Sequence, residues 1–136
     1  MIKVRPMILT VFFIFAMPFM AFAGSFDGSI PLLCAVVETF GCSDIDKCQE
    51  GMAQDIDIPQ FLSIDFKEKM ISGKHGKNIR TTKIENVEKN DRRLILQGTQ
   101  DGKGWSMVIM GSTGKMTLTA SGDDVGFVVF GACTNR

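Results

Sequence analysis

After an apolar opening, short runs of hydrophobic residues alternate with turn-forming clusters at intervals of roughly ten residues, the rhythm of an antiparallel β-meander. Residues 32–39 (LLCAVVET) read as a buried strand. In residues 61–66, Leu62, Ile64 and Phe66 share one face while Ser63 and Asp65 take the other, the period of two of a half-buried strand. Met70 and Ile71 read as a short continuation after a bend. Residues 79–87 (IRTTKIENV) are polar and β-branched and are expected at an exposed position. Residues 94–98 and 105–110 flank Asp101-Gly102, a strong hairpin signal. Residues 115–120 alternate, with Met116, Leu118 and Ala120 inward. Residues 125–133 (VGFVVFGAC) are apolar on both faces and are expected to be central or covered on both sides. Past residue 23 no long stretch carries a 3.6-residue apolar repeat, and residues 42–54 have room for one helical turn.

This pattern predicts an all-β fold: seven to nine antiparallel strands forming a small closed or half-closed barrel, with a two-sheet sandwich as the alternative. Barrel closure is preferred because a flat sheet of this size leaves two long edges open to aggregation.

The opening segment changes the picture from fold to compartment. Residues 1–6 carry Lys3 and Arg5, residues 7–20 are apolar (MILTVFFIFAMPFM), and Ala21-Phe22-Ala23 precedes Gly24. Basic, apolar and small-x-small parts in that order read as a cleavable signal peptide over 1–23, with cleavage between Ala23 and Gly24. The apolar stretch is shorter than a membrane span and is interrupted by Pro18, so no stable membrane insertion is expected after cleavage. A single β-rich domain over 24–136 remains. It holds 113 of the 136 residues, with 13 basic against 15 acidic side chains. That length supports one core. A net charge of −2 argues against nucleic acid, which selects a basic face.

Four cysteines, Cys34, Cys42, Cys48 and Cys133, all fall in the mature part. An even number in an exported chain reads as disulfides, for which four cysteines allow three connectivities. The expected pairs are Cys34–Cys133, which would fasten the first strand to the last, and Cys42–Cys48, which would close the polar loop CSDIDKC. Zinc is disfavoured because the cysteines do not form two close pairs. Residues 44–51 faintly suggest a calcium loop, but the sixth-position Gly is missing and Cys48 replaces an oxygen ligand. No metal and no cofactor is expected.

Candidate chemistry is sparse. His75, the single imidazole, lies in SGKHGKN and reads as a solvated hairpin tip without a partner. No G-x-S-x-G elbow accompanies any serine. Asp65 and Glu68 are close enough in sequence for a glycosidase pair but are expected to stay exposed. Trp105, the single tryptophan, begins a row with Met107 and Ile109 that either packs in the core or rims a ligand cavity. Adaptable methionines suit such a cavity, and Trp105, Met107 and Met116 form the candidate site.

The segments PLLCA at 31–35, PQFLSIDF at 59–66, LILQG at 94–98, GWS at 104–106 and FGACT at 130–134 resemble a group of small exported bacterial β-proteins to which no activity is attached. The layout also resembles, in shape alone, small periplasmic barrels that inhibit proteases or lysozyme. The Ser-Gly and Tyr pattern of the lysozyme inhibitors has no counterpart, since the chain has no tyrosine. The expected function is a non-enzymatic binding module of the bacterial cell envelope, periplasmic or secreted. Its partner is expected to be a small apolar ligand or the surface of an envelope protein. The alternatives are a hydrolase built from scattered carboxylates and His75, and a structural accessory protein without a small ligand.

Overall fold

The computed structural model describes residues 26–45 and 47–136. The signal peptide expected over residues 1–23 and the expected cleavage between Ala23 and Gly24 lie outside the described residues. Ten strands are formed among the described residues: β1 (Leu32–Ser43), β2 (Gln49–Gly51), β3 (Phe61–Asp65), β4 (Met70–His75) and β5 (Asn78–Lys83) in the first half. The second half supplies β6 (Asn86–Lys89), β7 (Arg93–Gln100), β8 (Lys103–Met110), β9 (Lys115–Ser121) and β10 (Val125–Asn135). All pairings are antiparallel, and the strands make one curled half-barrel sheet in the order β5-β4-β3-β1-β10-β9-β8-β7-β6, with β2 added alongside β1. The half-barrel expectation holds, and a two-sheet sandwich is ruled out by the single sheet.

The first and last strands are direct neighbours. Their register sets Cys34 opposite Cys133, and these sulfurs are bonded, as are those of Cys42 and Cys48. Both expected pairs are therefore present, and such disulfides are typical of exported proteins.

Strand β1 changes partner midway. Residues Leu32 to Ala35 pair with β3 and Thr39 to Gly41 with β2, and a bulge lies between Val36 and Glu38. The extra residue flips the alternation, so the inward series runs Leu32, Cys34, Val36 and then Thr39. Gln60 occupies the bulge: its backbone carbonyl accepts the Val36 N–H and its side-chain amide donates to the Val36 carbonyl.

Inward side chains from both halves form one core, with Leu32, Ile64, Leu96, Met107 and Ile109 fully buried. The expected β7–β8 hairpin forms with Asp101 and Gly102 both at positive φ, 50° and 75°, as a two-residue turn requires.

Three expectations need correction. Met70 and Ile71 do not merely continue β3; they open a full strand returning antiparallel to it, since Asp65 caps the intervening turn by accepting the N–H groups of Lys67 and Glu68 at 3.0 Å each. Residues 79–87 are two strands rather than one exposed run. Between them Ile84 is wholly buried, because the chain there leaves β4 for β7: the Ile84 N–H bonds the Lys69 carbonyl and the next N–H, of Glu85, bonds that of Gln97, both at 2.8 Å. The strand at the end of the chain is central in the sheet, as expected, with Phe130 41% exposed on the convex face. Finally, the helical turn in residues 42–54 forms later, as the 3-10 turn Ala53–Ile56, after the added strand β2.

Candidate functional site

The handover at Ile84 and Glu85 joins the two edges of the half-barrel at one end. Towards the other end a cavity of about 580 Å³ lies between the β4–β5 and β7–β8 hairpins, lined by Arg80, Thr81 and Thr82 on one side and by Gln100, Asp101 and Lys103 on the other. That volume lies within the range of small-molecule sites.

Its interior is built from inward positions of several strands. Trp105 and Met107 alternate along β8, and their cross-strand partners on β9 are Ala120 and Leu118. Phe127 continues the wall on β10, while Leu62 and Ile71 supply it from β3 and β4. A last apolar wall comes from outside the barrel strands, from Ile56 at the end of the 3-10 turn and from Ile58 and Pro59 after it. Polar groups gather at the rim, including Asp57, Arg80, Thr82, Asp101 and Lys103.

Trp105 is fixed by two local features. Across the sheet it faces Gly98, where a Cβ would lie 2.6 Å from both the indole ring and the Lys83 carbonyl oxygen, so only glycine leaves the ring its place. Its indole N–H donates to the Thr82 hydroxyl at 3.2 Å, bridging β8 to β5 at the narrow part of the gap. The other close approach is at Gly73, where the Pro59 ring would lie 2.5 Å from an added Cβ, so glycine lets the outer wall sit directly on β4.

Of the three candidate cavity residues, Trp105 and Met107 line the cavity. Met116 lies two positions away from Leu118 on β9 and is packed in the core against Gly131. The expectation for His75 is corrected in one respect. It does end β4 at a hairpin tip, but its Nε2 lies 3.1 Å from an Asp57 carboxylate oxygen. The other oxygen of Asp57 pairs with Arg80, whose guanidinium also donates to the Asp57 carbonyl at 2.9 Å. Imidazole, carboxylate and guanidinium are thus committed to one another as a clamp at the cavity rim. Of the two carboxylates close in sequence, Asp65 is occupied in the β3–β4 turn. In the calcium-like segment Cys48 is in a disulfide, while Asp46 lies outside the described residues. Among the described residues no three His, Cys, Asp or Glu side chains converge to hold a metal ion.

Sequence patterning does not reveal the outer wall or the clamp. Ile56-x-Ile58-Pro59 carries a faint apolar alternation that marks a buried segment. Asp57 and Arg80 are 23 residues apart, and nothing local connects them.

No known protein family, curated protein or solved structure matches this chain.

Proposed function

We propose that the protein is an exported, non-enzymatic binding module of the bacterial cell envelope, periplasmic or secreted, that holds a small apolar molecule in its half-barrel. The observation that carries this reading is the distribution of polarity in the cavity: Met107, Leu118 and Phe127 inside, charge at the rim. Burial of an apolar molecule there gains about 25 cal/mol per Å² removed from water. The methionine and the open mouth allow the walls to adapt to differing shapes. Two disulfides and the Lys3–Gly24 signal pattern support export.

The single tryptophan provides the test. Titrating the native protein with N-phenyl-1-naphthylamine, a neutral apolar probe, is expected to give saturable binding that changes Trp105 fluorescence. Ala120→Trp fills the cavity and is expected to weaken binding at least tenfold while the fold is retained. Absence of saturable binding, or a filled variant that binds equally well, would remove the reading.

The convex face favours a second reading, an envelope protein that brings a complementary apolar surface. Val37, Phe61 and Phe130 are 76%, 57% and 41% exposed there. Val37→Ser with Phe61→Ser separates the two: it is expected to abolish such a complex and leave probe binding intact.

A further inference from the structure

We propose that residues 55–59 are a gate over the cavity and that Asp57, gripped by His75 and Arg80, is its pH-sensitive latch. The proposal rests on the reading of the cavity as an apolar binding site and adds how access to it is controlled.

Residues 55–59 form a cavity wall that is not a strand of the sheet. Their backbone bonds are largely to the turn itself, Asp57 N–H to the Gln54 carbonyl at 3.2 Å and Ile58 N–H to that of Ala53 at 3.0 Å. The wall is anchored at its two ends, by buried Ala53 before it and by Gln60 in the β1 bulge after it. Between those anchors Asp57 makes the polar ties to the β4–β5 hairpin.

Asp57 also caps the C-terminal end of the 3-10 turn in a left-handed conformation, φ 59°, which aspartate tolerates, so the wall turns at this residue. His75 and Arg80 hold that turn of the wall against the hairpin from outside. When the grip loosens, the wall keeps only its apolar packing there, and Ile56 and Ile58 can draw away from the cavity mouth.

The charged groups around the latch come from three directions. Asp55 lies on the gate and is occupied by the Met52 N–H at 2.7 Å. The hairpin brings Lys74, His75, Lys77 and Arg80, and Asp101 and Lys103 stand on the opposite side of the mouth. His75 is the single imidazole among them, and imidazole is the side chain that ordinarily changes charge between pH 5 and 8. Protonated, it gives Asp57 a charge-assisted hydrogen bond; neutral, it gives a weaker one. The latch is therefore tighter in acid and looser towards alkaline pH. With Asp57 60% and His75 30% exposed, solvent screening keeps the effect to a few-fold.

The test measures release of bound N-phenyl-1-naphthylamine from the native protein at about pH 5.5 and pH 8. In parallel, amide exchange of Asp57 and Ile58 is followed without ligand. Wild type is expected to release the probe about two- to fivefold more slowly at the lower pH. His75→Gln keeps a hydrogen-bonding group but cannot become charged, and is expected to release at the faster rate at both pH values. Asp57→Asn tolerates the left-handed conformation yet loses the charge. It is expected to release faster still, with quicker exchange at both amides. A bound probe whose release and pH dependence are the same in all three proteins would overturn the latch and leave the cavity reading standing. If wild type binds no probe, the cavity reading fails, and unchanged exchange in Asp57→Asn would then overturn the latch independently.

Discussion

Ser29 donates both its hydroxyl and its N–H to one oxygen of Asp27, the N–H at 3.0 Å, and Lys89 of β6 approaches the other at 3.4 Å. The Ser29 hydroxyl, then its N–H, and more weakly the lysine charge hold the Asp27 carboxyl below the usual range, at about 2. The sign follows from linkage. A carboxyl that gives up its proton more readily folded than unfolded adds stability above its unfolded pKa, and that contribution is lost as pH falls towards about 2. Ser29→Ala removes the main cause but keeps the backbone N–H and Lys89, and is expected to move the Asp27 midpoint upward, towards the ordinary carboxylate range. A carboxyl NMR titration reads this directly, and an unshifted midpoint would contradict the assignment of cause. Such residue-scale ties are largely hidden in the sequence: the Asp27-x-Ser29 turn is local and can be guessed, whereas Lys89 reaches it across 62 residues.

The strand elements with clean alternation are legible because a period of two is what a strand buried on one face produces. Leu62 with Ile64, and Trp105 with Met107 and Ile109, all take the inward positions their spacing implies. Elements set by partners elsewhere are not legible. The bulge in β1 is occupied by Gln60, and the parity change that buries Thr39 has no local marker. Polar residues 79–87 conceal buried Ile84 because one apolar residue among charges carries no period. Gly98 belongs to the same scale. In the sequence it only ends an apolar run, but in the fold it keeps β7 close enough to hold the indole of β8. Gly98→Ala is expected to destabilise the fold by about 1–3 kcal/mol, the usual effect of forcing extra volume into packed surroundings. It should also shift Trp105 emission as the ring is displaced. Urea unfolding followed by that emission measures both, and an unaltered midpoint would mean that the strand gives way at no cost.

At the scale of the whole molecule, closure is visible in sequence through cysteine placement. Cys34 in the first strand and Cys133 in the last imply that these two strands are adjacent, and β1 and β10 are indeed paired along nearly their full length. The bond closes a loop with a sequence separation of 99 residues. Removing it by Cys133→Ala is expected to cost about 2–5 kcal/mol. It should also quicken amide exchange first in residues 128–132. Equal protection there in variant and wild type would show that β-pairing alone fastens the ends. The cavity is legible only in part. Alternation brings Trp105 and Met107 to it, but its mouth depends on how the β4–β5 and β7–β8 hairpins come together and its outer wall on a segment outside the strands. A strand pattern records neither.

The passage of the chain through Ile84 has a mechanical meaning. Two adjacent amides, of Ile84 and Glu85, are tied to opposite sides of the gap, so the distance between its sides is fixed at that point by the backbone itself. The gap can then widen only as a pair of scissors does, by rotation about a pivot, and displacement grows with distance from Ile84. Near the pivot the Trp105–Thr82 bond limits the travel, while the Asp101 and Arg80 sides of the mouth move furthest for the same angle. On the proposed reading of the cavity as a binding site, a guest would be selected by taper, its slender end towards the pivot and its bulk at the mouth.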